Sequence, residues 1–139
     1  MIVAGVIARL EAANVFALVE GAAELAALQD AAPPASPAAY VFIDEEAAEP
    51  NDRLNAVLQR VEVDLSVVLM TTDVSDATGG AGAAEIEALK GSVRAALVGW
   101  TPAAGDDVVT YVGARLVRAR NGVVTVEMTF AAAFYVTSS

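Results

Sequence analysis

The clearest pattern in the chain is a two-residue alternation between Arg53 and Thr72, which predicts a long strand. Its apolar face is formed by Val61, Val63, Leu65, Val67 and Leu69. The opposite face is polar at Glu62 and Asp64 but apolar at Val68 and Met70. We therefore expect this second apolar patch to be covered, either by a loop of the same chain or by another subunit.

Three segments have the three- and four-residue apolar spacing of helices: residues 2–13, 22–29 and 86–98. Asn14 suits the end of the first segment because Asn tolerates the left-handed conformation that follows many helices. Gly99 has the same role after the third segment, and Pro102 prevents the helix from continuing. These end signals predict three helices separated by strands.

Two short strands are predicted at Val15–Val19 and Tyr40–Ile43, and a hairpin is predicted around Asn121-Gly122. A regular two-residue turn there pairs Arg120 with Val123 and places Phe130 opposite Gly113, which a ring can cover.

The same regular register places Arg115 opposite Met128 on the apolar face, where an unpaired charge is costly. A bulge that rotates Arg115 outwards, together with a position at the sheet edge, is favoured over a buried ion pair.

The remaining segments read as loops. Ala31–Pro37 contains three prolines, Asp44–Asp52 contains five carboxylates and reads as an exposed acidic loop, and Asp73–Gly82 is rich in glycine and reads as a flexible surface loop. Together the elements predict one α+β domain spanning residues 1–139. We expect a mostly antiparallel sheet with a long central strand and a C-terminal hairpin, and two to three helices packed on one face.

Composition removes several classes of function. The chain has 18 acidic and 8 basic residues, a formal charge of −10, no cysteine and no histidine. Disulfides and sites built on thiolate or imidazole are excluded, and phosphate backbones would be repelled. The apolar opening Met1–Ala8 is too short to span a membrane.

No segment has the spacing of a catalytic, cofactor or metal site. The neighbouring carboxylates at residues 44–46, 73 and 76, and 106–107 occur on predicted open loops, where nothing apolar shifts their pKa. Gly79–Gly82 precedes a helix but lacks the lysine and hydroxyl of a phosphate-binding loop. We therefore expect neither an enzyme nor a bound cofactor or metal.

The order of segments resembles the tail terminator proteins of long-tailed bacteriophages, along nearly the whole chain. The resemblance rests mainly on Pro37–Val41, Gln59–Leu69 and the turn Gly99–Pro102. Prophages and gene-transfer particles carry similar proteins. The resemblance implies a structural protein of the virion tail, assembled in the host cytoplasm.

The resemblance also implies partners. Members of the family form a six-fold ring on the last ring of the tail tube, stop tube polymerisation and meet the neck or head-completion proteins. DNA passes through the lumen without specific binding. No membrane partner is implied.

Two sets of residues are candidates for these contacts. Residues expected at the interface with another subunit or the tube are Val68, Met70, Asp73, Asp76, Trp100, Phe134 and Tyr135. Trp100 could equally fill the core beside the third helix. Acidic residues expected to face the lumen are Asp44, Glu45, Glu46, Glu49, Glu62 and Asp64.

Two alternatives remain open. The first is a neck or head–tail joining protein, which would also form a ring. The second is a small dimeric α+β ligand-binding domain, which needs an enclosed apolar pocket with convergent polar groups.

Overall fold

The computed structural model describes residues 2–72, 80–120 and 122–138 and contains three helices and five strands. In chain order the elements are α1 (Ile2–Ala12), β1 (Leu18–Gly21), α2 (Ala22–Leu28), β2 (Ala38–Ala48), β3 (Leu58–Thr72), α3 (Gly80–Leu97), β4 (Thr110–Arg120) and β5 (Val123–Thr137). None of the helices in these ranges is long and apolar enough to cross a membrane. The predicted α+β class is confirmed.

The strands form one sheet in the order β1-β2-β3-β5-β4. β1 runs parallel to β2, and every other neighbouring pair is antiparallel. The predicted long strand is β3, which lies at the centre of the sheet and pairs over its whole length with β5. The mostly antiparallel sheet and the C-terminal hairpin are therefore as predicted.

The main core lies on one face of this sheet, beneath α1 and α3. Val6 and Leu10 of α1 and Val93 and Leu97 of α3 are fully buried there. The sheet contributes the alternating positions of β3 predicted from the sequence, together with Val126, Met128 and Phe130 of β5. Two amphipathic helices thus bury their apolar stripes against a pleated apolar face.

The third helix does not share that face, contrary to the one-face expectation. Leu25 and Leu28 of α2 pack with Tyr40, Val68 and Met70, which point to the opposite side of the sheet. The apolar patch predicted at the end of β3 is therefore covered by a helix of the same chain, and neither a loop nor another subunit is required.

The predicted acidic loop Asp44–Asp52 is partly strand. β2 continues to Ala48, five residues beyond the predicted end of the strand at Ile43. Asp44 is an extra residue at a bulge, since Ile43 lies opposite Leu65 and Glu45 lies opposite Asp64. Ladder hydrogen bonds to β3 stabilise the extended backbone of this acidic stretch, which local composition does not reveal.

The hairpin has the predicted turn but not the predicted register. Arg120 pairs with Val123 and Gly122 has a positive φ of 75°, but bulges at Val117 and Val112 each move the rest of β4 by one residue. Phe130 therefore lies opposite Tyr111, with ring centroids 5.3 Å apart, and not opposite Gly113.

The bulge at Val117 also moves Arg115 off the core face, and a bulge with this effect was the favoured prediction. Arg115 lies opposite Glu127, and its Nε donates to Glu127 Oε1 at 3.1 Å. The Arg115 side chain is 71% exposed. The charge is thus solvated and paired at the edge of the sheet.

The predicted helix ends are confirmed. Asn14 has φ 62° and Gly99 has φ 82°, both in the left-handed region. The first seven residues of the predicted flexible segment Asp73–Gly82 lie outside the described residues, and its last three belong to α3.

Candidate functional site

Within residues 2–72, 80–120 and 122–138, no group of three acidic side chains is placed to hold a metal ion. The residues predicted from the sequence are candidates for contact surfaces.

Trp100 belongs to the packing between two helices. It is half-buried against the main core, and the Arg9 guanidinium lies 5.1 Å from the centroid of its ring. A Cβ at Gly5 would approach the Trp100 ring to 3.2 Å, so the absence of a side chain there lets α1 lie close to the indole. The position fits the core alternative for Trp100 more closely than an exposed interface anchor.

The other predicted interface residues have different environments. Val68 and Met70 are 6% and 8% exposed and lie in the interior of the chain, so they offer little area to a partner. Phe134 is half-buried against the main core. Tyr135 is 40% exposed, and its hydroxyl donates to Asp107 Oδ1 at 3.1 Å. Asp73 and Asp76 lie outside the described residues.

The predicted lumen residues are all exposed, but they do not share one face. Glu45 lies directly opposite Asp64, and Glu62 follows on the same side of β3, opposite Ala47. We call Glu45, Glu62 and Asp64 the acidic face. Glu46 lies opposite Val63 and so belongs to the side that carries α1 and α3.

Asp44 and Glu49 lie at the margins of this arrangement. Asp44 is the bulge residue of β2, and Glu49 follows the end of that strand. Like charges directly opposite each other on neighbouring strands destabilise a sheet, so the Glu45–Asp64 pair is locally unfavourable. Both side chains are exposed, so packing of the subunit does not require a charge at either position.

A cluster centred on Arg60 borders the acidic face and was missed in the sequence. Its guanidinium contacts Glu62, reaches Asp107 Oδ2 at 3.0 Å and lies 3.7 Å from Glu49. Hydrogen bonds to Asp107 and Glu62 raise the pKa of Arg60. The cluster ties the loop before β4 to β3, and nothing in sequence spacing brings Arg60 and Asp107 together.

The outer edge of β4 exposes apolar residues that the sequence did not predict. Val112 and Leu116 are each 62% exposed and Val117 is 45% exposed. Among the described strands, β4 has a neighbour on one side only. Alternation indicates that such residues form a strand, but it does not indicate that the strand lies at an edge.

An open cavity of about 510 Å³ lies between α2 and the hairpin. Its floor includes Leu25, Phe42 and Val68, and its rim includes three arginines of β4. Two of them are already engaged, since Arg118 Nη1 lies 2.7 Å from Asp30 and Arg115 is paired with Glu127.

The contact between Asp30 and Arg118 links α2 to β4 across this cavity. The hydrogen bond and the positive charge of Arg118 lower the pKa of Asp30 below its ordinary value of 3.8. The Asp30–Arg118 contact at the rim of the cavity thus holds the end of α2 against β4.

The comparisons with known proteins give a family and a similar fold. A family model described as phage tail terminator protein matches residues 2–139. A chain in the structure titled "Virion of native gene transfer agent (GTA) particle" is similar in fold, with a TM-score of 0.59 and 19% identity, covering 96% of this chain and 93% of that one. No curated protein matches.

Proposed function

Because this chain belongs to the phage tail terminator protein family, we propose that it caps the tail tube as a ring, ends tube polymerisation and joins the tail to the neck proteins. The family is one of structural proteins of the virion tail, and this chain is such a protein. The match over residues 2–139 is the observation that carries the proposal. The ring is proposed to be six-fold.

The distribution of surface residues supports a ring. A closed ring uses head-to-tail contacts, so each subunit needs two different adhesive surfaces. The sheet ends in two dissimilar edges, the long edge strand β4 with exposed apolar residues and the short strand β1. A protein that worked as a symmetric dimer would need only one such surface.

The acidic face supports a lumen through which DNA moves. Carboxylates repel phosphate, and a net charge of −10 extends that repulsion beyond single contacts. We propose that Glu45, Glu62 and Asp64 line the lumen, with Asp44, Glu46 and Glu49 near its rim. A neutral or basic potential in the pore of an assembled ring would contradict this assignment.

The structure leaves fewer candidates for the proposed interface than the sequence did. Tyr135 lies near the end of β5 on the side of the acidic face, whereas Phe134 lies on the side of α1 and α3. Both remain candidates for contact with the tube or the neck protein. Trp100, Val68 and Met70 are better suited to holding the subunit together.

Electron microscopy of the purified protein, alone and with short preformed tubes of the tube subunit, tests the proposal. Rings of six-fold symmetry, seen free or seated on one end of each tube, are the expected result. Rings that bind the neck proteins but never tube ends would favour the neck alternative. A compact dimer that leaves tube ends bare would contradict both.

A further inference from the structure

We propose that neighbouring subunits join edge to edge, with β4 of one copy pairing antiparallel to β1 of the next, so that Leu116 lies beside Val19 and Arg115 beside Glu20. This inference rests on the proposed ring and names the contact that builds it.

Both edges are open in the described parts of the chain. β1 pairs only with β2, and β4 pairs only with β5. An open edge presents unpaired backbone N–H and C=O groups, which readily accept a strand from another chain. β4 contains no proline, and between its bulges at Val112 and Val117 it keeps a regular run, residues 113–116, as long as the four-residue β1.

The directions of the strands are compatible with this junction. β1 and β2 run one way, β3 runs against them, β5 runs with β1, and β4 runs against β5. If copies follow one another in the same orientation, β4 therefore meets the next β1 in antiparallel fashion. The junction repeats the pairing already used in most of the sheet.

The cross-strand rows identify which residues meet. One row runs from Arg115 through Glu127, Val68 and Tyr40 to Glu20. Its two ends carry opposite charges and lie on the same face of the sheet. In a continuous sheet with aligned rows, Arg115 of one copy and Glu20 of the next become direct cross-strand neighbours, which is a favourable pairing.

The adjacent row is apolar at both ends. It runs from Leu116 through Val126, Leu69 and Ala39 to Val19, on the face that carries α1 and α3. Leu116 is 62% exposed in the free subunit, and burying it beside Val19 removes apolar surface from water. One alignment of the two strands therefore pairs opposite charges on one face of the sheet and apolar side chains on the other.

Charge along the two ends of the sheet agrees with this pairing. β4 carries Arg115, Arg118 and Arg120 and no acidic residue. β1 and the α2 segment that follows it carry Glu20 and Glu24 and no basic residue. β4 against a second β4 would instead bring arginines together, so a head-to-tail contact is favoured over a symmetric one.

A ring in which the sheets of neighbouring copies are continuous also determines which side of each subunit faces the lumen. α1 and α3 pack on one face of the sheet, and the acidic face is on the other. A ring made by continuing the sheet would keep both helices on one side and turn Glu45, Glu62 and Asp64 of all copies to the other. The contact is therefore compatible with the proposed acidic lumen.

Disulfide trapping tests the contact directly, because the chain contains no cysteine. Val19→Cys and Leu116→Cys are made as two separate single variants, mixed, and oxidised with oxidised glutathione. Within one subunit the two positions are about 19 Å apart, four strand spacings, so no disulfide can form inside a chain. Every 19–116 bridge must therefore join two copies.

Val112→Cys is the matched control, since Val112 is as exposed as Leu116 but lies about 10 Å further along the same edge. We expect the Val19→Cys and Leu116→Cys mixture to give a covalent dimer about tenfold faster than the mixture with Val112→Cys, because positioned thiols have a higher effective concentration. A chain with both Val19→Cys and Leu116→Cys should give a ladder of covalent oligomers. Far-UV circular dichroism checks that each variant is folded.

Two results would overturn the contact. One is rings visible by electron microscopy without any 19–116 bridge, which would leave the proposed ring standing on other surfaces. The other is a Leu116→Cys homodimer that forms as fast as the mixed dimer, which would indicate a symmetric contact. If neither rings nor capped tubes form under any condition, the proposed function itself fails, and this contact fails with it.

Discussion

Trp100 shows how one residue links two helices that are distant in the sequence. The indole packs beside Gly5 and beneath Arg9 of α1, and its backbone follows the end of α3. Its N–H donates to Leu97 O at 3.1 Å, and its carbonyl accepts from Val109 N at 2.8 Å. The side chain and the backbone therefore hold α1, α3 and the approach to β4 together.

Trp100→Ala should lower the free energy of unfolding by about 2–3 kcal/mol, because a half-buried indole loses most of its contacts and leaves a cavity. Trp100→Phe should cost about half as much. Urea denaturation followed by circular dichroism measures both. Val98→Ala, at a position 47% exposed, is the control and should change stability by less than about 0.5 kcal/mol. A neutral Trp100→Ala would mean that Trp100 serves an interface and not the core.

Substitution in the Glu45–Asp64 pair, unlike that of Trp100, should raise the free energy of unfolding. Glu45→Gln should stabilise the monomer by about 0.2–0.5 kcal/mol at low salt, since it removes repulsion between directly opposed carboxylates. The gain should shrink as salt rises, because exposed charges are screened. Denaturation at two salt concentrations measures it. A gain independent of salt would contradict the electrostatic origin.

At the scale of elements, α2 is the part of the fold that differs most from expectation. It is seven residues long, and it covers the apolar end of β3 on the face away from α1 and α3. A helix this short is marginal alone, so its stability depends on the contacts of Leu25 and Leu28.

Leu28→Ala should destabilise the chain by about 1–2 kcal/mol, less than a fully buried leucine because Leu28 is only partly buried. Chemical denaturation measures the change. Ala26→Ser, on the exposed side of the same helix, is the matched control and should be nearly neutral. Equal effects of the two variants would contradict the packing of α2 on the sheet.

The ion pair between Asp30 and Arg118 gives α2 a dependence on pH. The folded pKa of Asp30 is lowered, so the pair stabilises the fold above the unfolded value of 3.8, and this contribution is lost as pH falls through the lower folded value. Asp30→Asn should therefore be less stable than the parent at pH 7 and similar to it at pH 2. Thermal unfolding at both pH values measures the difference. Asp52→Asn in an exposed loop should show no such change, and a constant Asp30→Asn deficit would exclude the pair as its cause.

The sequence predicted elements better than their relative placement. Alternation identified β3, and Asn14 and Gly99 identified helix ends, because these signals are local. The bulges at Asp44, Val112 and Val117 were not located, since a bulge depends on which residues of the neighbouring strand it pairs with. α2 could not be assigned to a face because two leucines can pack equally on either.

For the candidate surfaces too, local properties were predicted and properties that depend on the placement of distant elements were not. Exposure of the acidic residues was predicted correctly from their composition, whereas the burial of Val68 and Met70 depends on α2, which lies far from them in the sequence. The exposed edge of β4 and the Arg60 cluster depend on strand order and on loop placement. Neither can be read from residue spacing.

At the scale of the whole molecule, the subunit has a sheet with two unlike edges and an acidic face. α1 and α3 cover one side of the sheet and α2 covers part of the other. Among the described strands, β1 and β4 each have a neighbour on one side only. This arrangement suits a subunit that repeats around an axis. It agrees with the family to which the chain belongs, whose members are structural proteins of the virion tail.

The most direct test of whether this protein ends tube polymerisation is to measure tube length in a reaction that contains the tube subunit and increasing amounts of this protein. If the protein ends polymerisation as a cap, the mean tube length by electron microscopy should fall as its ratio to tube subunit rises, with a ring at one end of each tube. Leu116→Lys, which places a charge in the proposed contact between subunits, should restore long tubes. A mean length that stays constant at every ratio would contradict termination.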